Sequence, residues 1–243
     1  MIFTDSLNLA GIRIDAEVLR HPTVIHYFKF GSNGEVDSLE EADIWSPQGK
    51  LNRSPTPENL VIDSTEPMSI IVTGVNENYD RVIEVVALDG TNTSTTVSLF
   101  RGVLTAQIDP LSPAVNTVDI SGVGATSGFL QFVIPASNGQ TEMAHFIVPN
   151  GYTAAMYNVV LTASPDDNAV VRVQVANELN AYITKATFEV SSSPTVFDFK
   201  EFPPTFPEKT FIRFRAIATT NNTRVTAAYQ IALIRNEELE NVR

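Results

Sequence analysis

The chain has 243 residues, no cysteine, and 28 acidic against 16 basic residues, for a formal net charge of −12. Scattered bases on so acidic a chain argue against a nucleic-acid duplex as main partner, because such binders neutralise phosphates with clustered Lys and Arg; the same charge is repelled by anionic lipid. Absence of cysteine removes disulfides, thiolate metal sites and cysteine nucleophiles, while 43% hydrophobic residues are ample for a core.

Residues 1–22 read as an N-terminal arm. They lack the basic start and apolar run of a secretory signal, so synthesis in a cytoplasm is expected. The arm carries Ile2, Phe3, Leu7, Leu9, Ile12 and Ile14, more apolar surface than an idle polar tail shows, and this marks it as a candidate interface. Thr23 to Phe30 alternates as a strand. His26 within it has no second histidine at metal spacing and reads as a packed strand residue.

From Gly31 to Pro57 the pattern breaks into a long loop with Glu35, Asp37, Glu40, Glu41, Asp43 and the only tryptophan, Trp45. The acids could hold a divalent cation, but they do not match the spacing of a calcium loop, so a solvated loop is the stronger reading. Trp45 has two readings, an interface anchor or glycan platform and a pin that fastens the loop to a core.

Leu60–Asp63, Ser69–Thr73 and Val82–Leu88 read as short strands, with a turn at 76–80. Thr95 to Ile108 reads as one longer strand, bulged or bent at Gly102. Asp109-Pro110-Leu111-Ser112-Pro113 places two prolines where no central strand tolerates them. It is the expected boundary between a first sandwich, 23–109, and a second, 114–235. Glycine-rich 121–128 lacks the P-loop pattern and reads as a turn.

Strands are then expected at 129–134, 142–148, 153–163, 169–176, 182–190 and 195–202, punctuated by Gly, Pro and Asn turns. Glu208 to Ile234 reads as two long strands joined as a hairpin through Thr219–Thr223, with Val225, Ala227, Tyr229, Ile231 and Leu233 on one buried face. Residues 236–243 form a charged tail. The expected fold is therefore all-β, an antiparallel β-sandwich or jelly-roll-like architecture with two sandwich subdomains.

Chemistry is thinly represented. There is no G-x-S-x-G elbow, and His21, His26 and His145 stand apart, so neither a serine hydrolase nor a zinc site is indicated. No catalytic residue, cofactor or metal is assigned. Trp45, Tyr79 and Tyr152 are the candidate stacking residues for a glycan.

Four stretches, Lys29 to Trp45, Ala87 to Ala106, Gly139 to Ala154 and Glu201 to Ile234 with its FPPTFPEKTFIRFRA opening, resemble virion structural proteins of tailed bacteriophages of the marine and cyanobacterial type. Such proteins usually begin the first stretch with a more basic KFG-R/H-N segment, whereas here Ser32 follows Gly31. The resemblance implies a non-enzymatic, many-copy component of the particle, assembled in the host cytoplasm as a homo-oligomer with other virion proteins, the major capsid protein first among them. It supplies no catalytic residue, and it leaves head association as capsid cement or decoration beside a tail-associated receptor- or glycan-binding role.

Overall fold

A computed structural model describes residues 23–47, 49–51, 56–110, 112–124, 130–177, 182–199 and 203–240. The N-terminal arm, with Ile2, Phe3, Leu7, Leu9, Ile12 and Ile14, lies outside the described residues.

The strands, in chain order, are β1 (Ile25–Val36), β2 (Ala42–Asp43), β3 (Leu60–Asp63), β4 (Pro67–Val75), β5 (Arg81–Asp89), β6 (Ser94–Thr95), β7 (Gly102–Asp109), β8 (Val118–Gly122) and β9 (Leu130–Ile134). They continue as β10 (His145–Ile147), β11 (Tyr152–Ala163), β12 (Ala169–Ala176), β13 (Ile183–Val190), β14 (Thr195–Asp198), β15 (Thr205–Phe206), β16 (Phe211–Ala218) and β17 (Thr223–Arg235), and one short helix, α1 (Asn236–Glu240), follows. The protein is all-β, and every described strand pair is antiparallel.

Four sheets form two sandwiches. Sheet A has the order β1-β17-β11-β14, with β15 also on β11, and sheet B the order β10-β16-β12-β13, with β2 on β16. Their inner faces share one core, in which Phe146, Leu161, Val171, Phe214 and Tyr229 are buried. Sheet C, β6-β3-β8-β9, packs on sheet D, β5-β4-β7, around Ile62, Ile70, Phe100, Ile120 and Phe132.

This pairing corrects the boundary expected at Asp109–Pro113. Strands β8 and β9 lie beyond the prolines, yet β8 pairs with β3, and Ile108 and Val118 share a core. The smaller sandwich is built from β3 to β9, and the larger from β1, β2 and β10 to β17. The prolines do end a strand, as their missing N–H and fixed φ require. What they mark is a crossing from sheet D to sheet C inside one body.

The expected hairpin at 208–234 is corrected too. Buried alternation is present, with Val225, Ala227, Ile231 and Leu233 fully buried and Ile212, Phe214 and Ala216 facing them. But β16 pairs with β12, β10 and β2, whereas β17 pairs with β1 and β11. The polar turn, with Asn222 in the left-handed region at φ 62°, throws the chain across the core from one sheet to the other. Phe214 and Tyr229 therefore meet face to face, ring centroids 4.7 Å apart, instead of lying side by side in one ladder.

Two smaller differences follow from packing. The first six residues of the expected loop 31–57 are strand, because β1 continues to Val36 against β17. The single strand expected over 95–108 is divided into β6, on sheet C, and β7, on sheet D. The expected charged tail begins with α1, whose Leu239 packs with Val24, Ala155, Ala232 and Ile234 on the outside of sheet A.

Candidate functional site

The four stretches that resemble virion proteins converge in space, at the seam between the two sandwiches. Ile44 donates its N–H to Phe214, Ala144 donates to Ile44, and Phe214 donates to Ala144, a backbone circuit through three of the stretches. The fourth joins through β7. Thr73 pairs with Thr105 and Gly74 with Val103, so Leu104 is an extra residue in the ladder. A bulge of this kind re-aims a side chain, and Leu104 is turned out of the smaller core into the larger one. Its carbonyl accepts a hydrogen bond from the Nζ of Lys29 on β1.

Lys29 is the unusual residue of this seam. It points inward with Ile25 and Tyr27, is 3% exposed, and stands opposite Tyr229. Among the described residues no charged partner offsets its burial, and desolvation alone pushes the amine down to about 7. The Tyr229 hydroxyl is also buried without a hydrogen-bond partner among the described residues, and burial raises its pKa well above the usual phenol value.

Other joints repeat the weld. Gly102 approaches Ile147 so closely that a Cβ there would stand 2.1 Å from Ile147 Cδ1. The 76–80 turn of the smaller sandwich, closed by Asn76 Oδ1 accepting from the N–H groups of Asn78 and Asp80, drives Tyr79 into the larger core against Phe211.

A second polar constellation lies on the outer face of sheet B. Arg172 and Arg215 are directly opposite across β12 and β16, and Arg213 is two residues from Arg215 on the same face. Like charges in that register repel. Glu41 offsets the repulsion by bridging them, Oε1 to Arg172 at 2.8 Å and Oε2 to Arg215 at 2.6 Å. Asp43 lies 4.0 Å from Arg213 and 3.9 Å from Arg215 and accepts the N–H of Leu51. Burial pushes its carboxyl up, against the downward pull of Arg213. Arg213 also stacks on Tyr182, 3.5 Å from the ring centroid, and donates to Gln174.

These contacts decide the acidic loop. Glu41 and Asp43 are turned to arginines of sheet B, so that end of the segment is fastened by charge, whereas Glu35, Asp37 and Glu40 are exposed, Glu40 beside the equally exposed Lys50, and keep the solvated character expected of the loop. Replacing Glu41 with Gln should cost about 1–3 kcal/mol, below the fully buried case because Glu41 and Arg172 keep some solvent. Urea melts check this: Arg172→Gln in the Glu41→Gln background should recover part of the loss, since it removes the repulsion that Glu41 had masked.

The residues singled out from sequence do not gather into one site. Trp45 is 4% exposed, in the smaller core, bridging to Met143. It is the pin of its two readings and is not a surface anchor. Tyr79 is 2% exposed, so neither residue is open to stack on a glycan. Tyr152 is half-buried in a shallow hollow with Arg235 and Asn236. Among the described residues no cluster of three His, Cys, Asp or Glu could hold a metal ion. Sequence reasoning passed over Lys29 and Leu104. Lys29 was legible from parity, since it shares a face with Ile25 and Tyr27, whereas a bulge at Leu104 leaves no such mark.

No protein-family model and no curated protein matches the chain. Among solved structures, a structure of infectious bursal disease virus, Gt strain, is similar over 87% of this chain and 72% of its own at 9% identity and a TM-score of 0.25. The T13 viral particle of the same virus covers 87% and 69% at 10% identity and 0.22. YcfD, a ribosomal oxygenase from Escherichia coli, covers 73% and 43% at 7% identity and 0.19. Likeness at this level reaches a viral particle and an oxygenase alike and does not discriminate between them. No described helix is long and apolar enough to cross a membrane.

Proposed function

We propose that the protein is a non-enzymatic structural component of a tailed-bacteriophage virion, a capsid decoration or cement protein that stabilises the shell through contacts with itself and with the major capsid protein. The observation that carries the reading is the convergence of all four resembling stretches on the seam. The Lys29, Leu104 and Ile44–Ala144–Phe214 contacts in which they meet belong to a scaffold, not to a pocket with chemistry. Burial of Trp45 and Tyr79 takes two of three stacking residues from the rival glycan-binding reading.

In this proposal the N-terminal arm, with Ile2, Phe3, Leu7, Leu9, Ile12 and Ile14, docks on a neighbour in the particle. The experiment is a quantified protein profile of purified particles. A cement protein is expected at a copy number comparable to that of the major capsid protein, and a small fraction of it would indicate a tail-associated adhesin. A chain lacking residues 1–22 should fold but incorporate poorly; full incorporation would remove the arm from the proposal.

A further inference from the structure

An open hollow of about 400 Å³ lies at one end of sheet A, lined by Gly34, Thr162, Ser164, Asn222, Arg224 and Thr226, with Ala163 and Pro165 completing the wall. Register brings these residues together. Thr226 of β17 stands between Ser32 of β1 and Thr162 of β11, and Arg224 shares its outward side because Val225 between them is fully buried. The β1 ladder is bulged between Asn33 and Val36. Gly34 lies in that bulge, and a Cβ there would meet nothing within 4 Å, so the hollow is open on this side.

Arg224 sets the place apart. The other described arginines are engaged: Arg172 and Arg215 by Glu41, Arg213 by Asp43 and Gln174, Arg235 by Glu237, and Arg81 and Arg101 over the rings of Tyr27 and Tyr79. Among the described residues the Arg224 guanidinium has no hydrogen bond or ion pair, and only its backbone N–H is used, donating to Ser164 Oγ. Glu142 feels its charge, but burial raises the pKa of that carboxyl all the same, and Glu142 accepts from Asn138 at 2.7 Å. No carboxylate lines the hollow, in a chain with 28 acidic residues. Asp167, on the adjoining turn, accepts from the hydroxyls of Ser164 and Thr220.

Other polar groups of the lining have capacity to spare. The Thr162 and Thr226 hydroxyls lie 2.5 Å apart, so one donates to the other and one proton is left for a ligand. The Asn222 side-chain amide has no partner among the described residues, and the Thr220–Thr223 hydrogen bonds hold its turn.

We propose that this hollow binds a single carboxylate-bearing sugar unit of the uronic acid kind, with Arg224 on the carboxylate and Thr162, Thr226 and Asn222 on the ring hydroxyls. A guanidinium fork matches a carboxylate in two parallel hydrogen bonds. Ala163 and Pro165 give the C–H face of a ring an apolar wall, while the hydroxyl and amide groups suit its polar edge. The volume stands near the lower end of small-molecule sites, roughly 300–1,000 Å³, and the net charge of −12 repels a long polyanion. Both favour one unit over a chain.

The test is a ligand-observed NMR titration of the full chain at low ionic strength with methyl glucuronide, beside methyl glucoside, which has a hydroxymethyl in place of the carboxylate, and acetate, which has no sugar. Saturable binding of the glucuronide is expected, with glucoside and acetate each weaker by about tenfold or more. Arg224→Gln, at an exposed position, should weaken glucuronide by about tenfold or more, the scale of a lost charge-assisted hydrogen bond. Gly34→Leu fills the hollow without touching Arg224 and should do the same, with melting unchanged. Arg235→Gln, in the other hollow beside Tyr152, should leave the affinity as it is. Absence of saturable glucuronide binding overturns the proposal, as does unchanged binding in either the Arg224 or the Gly34 variant. Equal affinity for acetate would hand the hollow to a carboxylate of a protein partner, equal affinity for glucoside would remove Arg224 from recognition, and an equal loss in Arg235→Gln would move binding elsewhere; each overturns it. Failure here leaves the particle copy number untouched, so it is separable from failure of the virion reading.

Discussion

Replacing Lys29 with methionine should stabilise the protein at neutral pH and flatten its stability between pH 7 and about 9.5. The cause is linkage. Folding lowers the Lys29 pKa from 10.5 to about 7 because burial disfavours the ammonium and no anion among the described residues offsets it. Between those values the unfolded chain binds more protons than the folded one, so unfolding free energy rises with pH by about 1.4 kcal/mol per pH unit. Below pH 7 both states hold the proton and the penalty is constant, on the order of 5 kcal/mol when that slope is carried across the interval between the folded and unfolded values.

Methionine removes that penalty and keeps much of the packing volume. It also leaves the Leu104 carbonyl without its donor, a loss of about 1–3 kcal/mol. The expected net gain at pH 7 is therefore on the order of 2–4 kcal/mol, shrinking to nothing or reversing near pH 10, where wild-type Lys29 is neutral in the fold and losing its proton in the unfolded chain. Tyr229 bounds the usable window, because its raised pKa takes stability away above about pH 10. Urea melts of both proteins at pH 7, 8, 9 and 9.5 measure the effect. Parallel curves for the two would mean that the amine is charged and satisfied in the fold.

How much of this could be read from the sequence depends on what period-two alternation encodes. It fixes which face of a strand is buried, and so Val225, Ala227, Tyr229, Ile231 and Leu233 were legible, as were Arg213 and Arg215 on the opposite side of β16. It does not encode the partner. A turn such as Thr219–Thr223 can fold a strand back into its own sheet or across to the facing one, and the buried faces are the same in both cases. The two prolines after Asp109 likewise announce that β7 ends, but not that β8 returns to β3. An inserted body is invisible to local pattern, because its boundaries are set by who pairs with whom over long separations. Candidate site residues fared similarly: Trp45 carried two readings until its burial chose one, while the hollow of Gly34, Thr162, Arg224 and Thr226 exists only once β1, β17 and β11 are in register.

The largest single loss of stability is expected on replacing Gly31 with alanine. Nothing in the local pattern demands glycine there: Gly31 is an inward position of β1, opposite Ala227, in extended backbone. What demands it is the seam. A Cβ at Gly31 would stand 2.3 Å from the amide nitrogen of Ala144 and 2.3 Å from the carbonyl oxygen of Ile44. Those two atoms are hydrogen-bonded to each other at 2.9 Å, so the methyl would be driven into the bond that ties β1, the Ile44 segment and β10 together. Backbone on both sides cannot swing away as a side-chain tip can, and relief would require separating the sheets over Phe146 and Phe214. A cost above about 4 kcal/mol follows, in the class of severe core overpacking, which lowers Tm by roughly 8–16 °C for a chain of this size. Gly102 is the informative comparison. Its Cβ would meet only Ile147, at Cδ1, the far end of a side chain that can change rotamer, so Gly102→Ala should cost about 1–2 kcal/mol. Gly34 has nothing within 4 Å of a Cβ, and alanine there should leave Tm close to wild type. Thermal melts of the three variants should rank Gly31 far below Gly102 and Gly102 below Gly34. Equal melting of Gly31→Ala and the wild type would mean that β1 does not approach the Ile44–Ala144 hydrogen bond, and the weld between the sandwiches would have to be relocated.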